Sequence, residues 1–213
     1  MYKIVDQPKK TSENVQEKYI VISPGRAASN SLFNYIHRSL NNLNVSHEIE
    51  NLETPLIWMD TVEDPEEWTV VISTRQDMLA QTISFYLILL TGQSHVTGKN
   101  GNIYNSKSIE NFILPRTYFF AFAYGILFFH ERVFKYKHWD KFKKVHWLNY
   151  EEITQDWEGT GKLLGFNDWN SSLLHATGYG SVWDKVINKT EVLSWVEELQ
   201  LTNIFTLDKE KYK

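Results

Sequence analysis

Residues 24–31 are of the types that bind an oxyanion. They follow a short apolar stretch, Lys18–Ser23, whose β-branched residues predict a buried strand. After them, apolar residues recur with the spacing of a helix, at Leu32, Tyr35, Ile36 and Leu40. A loop between such a strand and helix directs backbone N–H groups and the positive end of the helix dipole at one point. One guanidinium and two hydroxyls lie in the loop, on Arg26, Ser29 and Ser31, so we expect a phosphate or sulfate group to bind there.

The order of residues within this loop narrows the class of protein. A nucleoside triphosphatase loop has a Gly-Lys pair, with the lysine at the outer phosphates, and this loop has none. Instead it resembles the P-x-R-S-G-S-T-L-L loop with which sulfotransferases hold the 5′-phosphosulfate of 3′-phosphoadenosine 5′-phosphosulfate (PAPS). The resemblance implies a cofactor site made of Pro24, Gly25, Arg26, Ala27, Ala28, Ser29, Asn30 and Ser31. Ala28 stands where the family usually has glycine, and Asn30 stands where it has serine or threonine.

A second segment, 74–86, resembles the T-R-R-D-K-x-x-Q-A-V-S-x-W segment of the Stf0-type, or trehalose 2-sulfotransferase-like, branch. In that family an arginine at the strand end and a serine two helical turns later contact the 3′-phosphate of PAPS. The resemblance therefore implies that Arg75 and Ser84 bind this phosphate. Gln76 stands in place of the family's second arginine. A helix that starts near Asp77 would put Gln81 and Ser84 on one face with Asp77.

A third segment, 145–153 followed by 161–166, is similar to the strand with Y-E-D-L and the helix ending L-x-F-L-G of sulfotransferases, and we interpret it as structural. Strands that alternate with helices predict a parallel sheet covered on both faces. The resemblance adds the fold class, an α/β P-loop-like three-layer fold with a central parallel sheet between helices.

The patterns also predict where the elements begin and end. Strands are predicted at 18–23, 45–49, 68–73 and within 141–150, and helices at 30–43, 78–90, 108–137 with a break at Pro115, 151–164 and 190–199. Ser73 or Thr74 is the predicted N-cap of the helix 78–90. Gly165 is predicted to end the helix before it as a C′ residue.

The resemblance implies in-line transfer of a sulfuryl group from PAPS to a hydroxyl of a carbohydrate or other small acceptor. The product would be 3′-phosphoadenosine 5′-phosphate, no metal would be needed, and Arg26 would stabilise the leaving phosphate. In the family a glutamate about twenty residues after the loop arginine is the proposed base, and Glu48 lies 22 residues after Arg26. His47 is the second candidate, and an exposed carboxylate in an acidic connection is the alternative interpretation of Glu48. Lys185 would belong to a C-terminal loop over the 3′-phosphate, against the alternative of a solvated lysine.

Length and composition limit the number of domains, the partners and the location that we expect. The chain of 213 residues predicts a single domain over 18–213 after a polar lead-in over 1–17. With 22 basic and 26 acidic residues, the formal charge of −4 gives no general attraction to nucleic acid or to a membrane. The chain has no cysteine, which excludes disulfides and thiolate chemistry, and the first residues lack the apolar core of a signal peptide, so we expect a cytoplasmic location. A homo-oligomer is compatible with the sequence.

Two other classes of function stay open. The replacements Ala28 and Gln76 would fit a non-catalytic protein that keeps the fold and binds a nucleotide or a partner. A small-molecule kinase with a degenerate loop is the third class, and it would require ATP and magnesium.

Overall fold

A computed structural model describes residues 17–25, 27–28, 31–33, 35–36, 45–49, 56–91, 110–166 and 182–200. Four parallel strands form one sheet within these ranges: β1 (Lys18–Ser23), β2 (Val45–Ile49), β3 (Trp68–Thr74) and β4 (Lys144–Asn149). Their order across the sheet is β2-β1-β3-β4. All four strands were predicted, and the parallel α/β character is confirmed.

The strand order places the polar turns of the sequence at one edge of the sheet. From β1 the chain passes to the neighbouring β2, then returns to form β3 on the other side of β1. The direction of winding therefore reverses between β1 and β3. In open α/β sheets ligands bind at such a switch point, outside the carboxyl ends of the strands. The loop that starts at Pro24 follows β1 and the turn 75–77 follows β3, so both begin at this switch point.

Five α-helices have defined bounds: α1 (Met78–Thr91), α2 (Arg116–Lys135), α3 (Tyr150–Gln155), α4 (Trp157–Leu163) and α5 (Lys189–Gln200). Residues 31–33 and 35–36 are also helical. The helix predicted over 151–164 is in fact two helices. Asp156 divides them, and its carboxylate accepts a hydrogen bond of 2.8 Å from the N–H of Gly159 at the start of α4. The helix predicted from residue 108 begins only after Pro115, whereas Gly165 has a φ of 89° and ends α4 as predicted.

Apolar side chains cover both faces of the sheet. Tyr19 and Val21 of β1 pack with Leu32 and Ile36 on one face, together with Ile153 and Trp157. The alternate residues Ile20 and Ile22 pack on the other face with Phe129 and Val133 of α2. This burial on both sides explains why β1 and β3 are continuous apolar runs. A third cluster joins α1, α2 and α5.

The longest described helix is α2, which buries Phe119, Ala123, Ile126 and Val133 and exposes Tyr124 and Phe128. Among the described residues, no helix has both the length and the apolar character needed to span a bilayer.

Burial lowers the pKa of two histidines, of which His146 is buried and His130 is half-buried. His146 lies in β4 and is 8% exposed, and burial, with a smaller effect of Lys144, lowers its pKa. His130 lies in α2, where burial lowers its pKa and its Nε2 has no hydrogen-bond partner among the described residues. Both side chains therefore resist protonation in the folded protein.

We expect the free energy of unfolding to fall as the pH drops below about 6.5, the pKa of histidine in an unfolded chain. Below that pH the unfolded chain binds protons that the folded protein binds less readily, so protonation favours unfolding. Urea titrations between pH 7.5 and 5 should show this loss. His146→Gln should reduce proton uptake on unfolding by up to about one proton. Unchanged proton uptake in His146→Gln would contradict the assignment.

Candidate functional site

The first loop leaves β1 through two residues with left-handed backbone conformations. Gly25 has a φ of 85°, which costs little because glycine has no Cβ. Ala28 has a φ of 61°, although alanine rarely adopts it. Ala28 is the position at which the resembling family usually has glycine, so the backbone at this position has the conformation that glycine favours.

Three carbonyls of this loop accept hydrogen bonds from within the protein. The Gly25 carbonyl accepts from Nε2 of Gln81 in α1 at 2.6 Å, and the Ala27 carbonyl accepts from Oγ of Ser73 in β3. The Ala28 carbonyl accepts from the N–H of Leu32 at 3.0 Å, which begins the helical residues. In a trans peptide the N–H points opposite to the C=O. Holding the Ala27 carbonyl in this way turns the N–H of Ala28, which belongs to the same peptide, away from Ser73, as in a backbone anion site.

A further hydrogen bond fixes the start of the first loop. The N–H of Gly25 donates a hydrogen bond of 3.0 Å to Oγ of Ser23, and both residues are buried. No local sequence pattern indicates that Ser23, Ser73 or Gln81 supports the loop. The only signal was that Gln81 lies inside the second matched segment.

Replacing Ala28 with glycine is expected to stabilise the protein. A non-glycine residue in the left-handed backbone conformation lowers stability by about 1–2 kcal/mol. Glycine lowers stability by roughly 0.5–1 kcal/mol relative to alanine, because it loses more backbone entropy on folding. The free energy of unfolding should therefore rise by about 0.5–1 kcal/mol, measured by urea denaturation. Ala27→Gly is the matched control, since Ala27 is buried in the same loop without a positive φ, and it should lower stability. A loss of stability in Ala28→Gly would mean that the backbone at this residue is unstrained.

The turn after β3 is capped differently from the prediction. Asp77 is the N-cap of α1, because its Oδ1 accepts a hydrogen bond of 2.9 Å from the N–H of Ala80. The prediction of Ser73 or Thr74 was wrong because β3 continues through Thr74. Ser73 instead donates to the loop, and Oγ1 of Thr74 donates to Oδ1 of Asn149 in β4 at 2.9 Å.

Glu151 holds this turn in place from α3. Its carboxylate accepts hydrogen bonds from the N–H of Gln76 at 3.0 Å and the N–H of Asp77 at 3.1 Å. The same carboxylate lies 3.9 Å from Nε of Arg75, and the guanidinium carbon of Arg75 lies 4.4 Å from the centre of the Tyr150 ring. The sequence did not indicate these partners of Glu151. Because Glu151 accepts from these two N–H groups, neither is left as a backbone donor for a ligand at the start of α1.

The remaining predicted site residues are distributed as follows. Pro24 and Ser31 are buried within the first loop and the helix after it, and Ser84 is buried in α1, one turn beyond Gln81. Lys185 lies further away in sequence, where its carbonyl accepts a hydrogen bond of 2.8 Å from the N–H of Phe112 before α2.

Several predicted residues lie outside what the structure describes. Arg26, Ser29 and Asn30 are among them. For β2 the backbone alone is described: His47 pairs with Val21 and Glu48 with Ile22, so both belong to the strand beside β1. Glu48 lies one residue before the carboxyl end of β2.

Within the described residues, no group of three or more histidine, aspartate or glutamate side chains is arranged to hold a metal ion. No protein-family model, curated protein or solved structure matches the chain. The described residues define a class: a mixed α/β protein with a parallel sheet and two structured turns at its switch point.

Proposed function

We propose that this chain is a PAPS-dependent sulfotransferase with a P-loop-like three-layer fold, acting on a hydroxyl of a carbohydrate or other small acceptor. The hydrogen bonding of the first loop supports this proposal most directly. Its carbonyls at Gly25, Ala27 and Ala28 are held by protein donors, and the loop starts at the switch point of the sheet. In the peptide between Ala27 and Ala28, this arrangement suits an anion that approaches the N–H side, opposite to Ser73.

In the proposed reaction, the acceptor oxygen forms a bond to sulfur while the bond between sulfur and the bridging phosphate oxygen breaks. Negative charge then develops on the 5′-phosphate of the leaving 3′-phosphoadenosine 5′-phosphate. The loop N–H groups with Ser29, Asn30 and Ser31 hold this phosphate, and Arg26 stabilises its charge. The acceptor proton passes to a base, for which Glu48 is the first candidate and His47 the second.

The 3′-phosphate is assigned to the turn after β3. Arg75 follows this strand, and the neighbouring Ser73 contacts the first loop through Ala27. A 3′-phosphate at Arg75 would share the guanidinium with Glu151, whose carboxylate lies 3.9 Å from Nε. Ser84 and Lys185 are the further candidates for this phosphate.

The test combines binding and turnover. Calorimetry with 3′-phosphoadenosine 5′-phosphate should show binding that does not depend on magnesium, and radiolabelled PAPS should transfer its sulfuryl group to at least one acceptor in a carbohydrate panel. No affinity for this nucleotide would contradict the proposal. Binding without transfer to any acceptor would favour the non-catalytic nucleotide-binding class, and turnover that requires ATP and magnesium would favour the kinase class.

A further inference from the structure

Gln81 is a fully buried amide in α1. Its side chain is 0% exposed, and the helix neighbours Leu79 and Ile83 are also fully buried. Its Nε2 donates to the Gly25 carbonyl at 2.6 Å, so it connects α1 to a loop 56 residues earlier in the chain. Such a short, buried hydrogen bond fixes both groups in one geometry.

The other half of this amide has no hydrogen-bond partner within the part of the chain that the structure describes. That half is Oε1 of Gln81, which is buried. A buried acceptor without a donor lowers the stability of the folded protein. An apolar side chain of similar volume would avoid this cost, so stability alone does not account for an amide at this position.

The partner of Gln81 is the most freely rotating residue of the loop. Gly25 has a φ of 85° and no side chain to restrict it. Its N–H is held by Ser23 and its carbonyl by Gln81, so the two peptides of Gly25 are fixed from both sides. The peptide after Gly25 leads directly to Arg26.

We propose that Gln81 is a positioning residue of the first loop, which fixes the peptide after Gly25 and so sets the loop for the 5′-phosphate of the nucleotide. The role at the phosphate rests on the proposed function. The hold on the loop itself does not, because it is a property of the protein without ligand.

The first measurement is amide hydrogen exchange of the loop, residues 23–33, in the ligand-free protein. Gln81→Met removes the donor and keeps an unbranched side chain of similar length. Thr82→Val is the matched control: Thr82 is equally buried in α1, but its hydroxyl donates within the helix to the Met78 carbonyl at 2.8 Å. We expect exchange in the loop to rise roughly tenfold in Gln81→Met, as for the loss of one hydrogen bond, and to stay at the wild-type rate in Thr82→Val.

The second measurement compares two nucleotides at a temperature at which every variant is folded. Gln81→Met should weaken binding of 3′-phosphoadenosine 5′-phosphate by roughly tenfold or more. It should leave binding of adenosine 3′-phosphate unchanged, because that nucleotide lacks the 5′-phosphate. A general structural defect would weaken the binding of both nucleotides equally. If Gln81→Met does not fold, Gln81→Asn replaces it, since its amide is one methylene too short for the bond to Gly25.

The outcomes separate this inference from the proposed function. Unchanged exchange in the loop of Gln81→Met would overturn it, and so would an equal loss of affinity for both nucleotides. If the wild type binds neither nucleotide while Gln81→Met still raises loop exchange, the hold on the loop is supported and the assignment to the 5′-phosphate fails together with the sulfotransferase proposal.

Discussion

Arg26→Ala is expected to lower kcat for the proposed sulfuryl transfer by roughly 10²- to 10³-fold, the loss typical of a removed oxyanion donor. The residues on either side of Arg26, Gly25 and Ala27, have their carbonyls held by Gln81 and Ser73. The backbone of the loop should therefore keep its conformation when the Arg26 side chain is shortened. The urea midpoint of the variant should stay close to that of the wild type, so the lost rate can be attributed to the missing charge.

Two further variants make this test specific. Arg26→Lys keeps the charge but not the planar, bidentate donor pair, so it should recover part of the rate. Arg116→Ala is the control for the removal of an arginine, because Arg116 lies on the surface at the start of α2 and pairs with Glu198. A rate in Arg26→Ala within tenfold of the wild type would remove Arg26 from the proposed chemistry.

The sheet was predictable from the sequence because its signals are local. Each strand is a short run rich in β-branched and aromatic residues that is ended by polar or turn-forming residues, as at Ser23-Pro24-Gly25. Gly165 could be predicted as a helix end for the same reason. The N-cap of α1 could not be predicted, because the sequence does not show that β3 extends through Thr74, which pairs with Asn149 of β4.

The supports of the candidate site were not predictable because they join distant parts of the chain. Gln81 contacts a residue 56 positions away, and Glu151 contacts residues 75 and 74 positions away. A local pattern reports which face of a helix is apolar, but it does not report which backbone group a buried polar side chain meets. The left-handed conformation of Ala28 was indicated only by the glycine of the resembling loop.

Glu151→Ala is expected to lower the free energy of unfolding by about 1–3 kcal/mol, the cost of leaving backbone donors without a charged partner. The variant removes the acceptor for the N–H groups of Gln76 and Asp77 and the carboxylate beside Arg75. Glu151→Gln should cost less, because its remaining oxygen still accepts one of the two hydrogen bonds. Urea denaturation measures both variants. Glu152→Ala is the control, since Glu152 is the exposed neighbour of Glu151 on the same helix.

Glu151→Gln should lower stability but strengthen binding of the nucleotide. In the wild type the Glu151 carboxylate lies beside the guanidinium that is proposed to bind the 3′-phosphate, and like charges repel. Glu151→Gln removes this charge while it keeps much of the turn, so its affinity for 3′-phosphoadenosine 5′-phosphate should rise several-fold as its stability falls. Weaker binding in Glu151→Gln would mean that the order of the turn affects phosphate binding more than the negative charge of Glu151 does. Unchanged binding would instead contradict the assignment of the 3′-phosphate to Arg75. A phosphate bound to Arg75 must respond to the loss of a negative charge that lies 3.9 Å from Nε of that arginine.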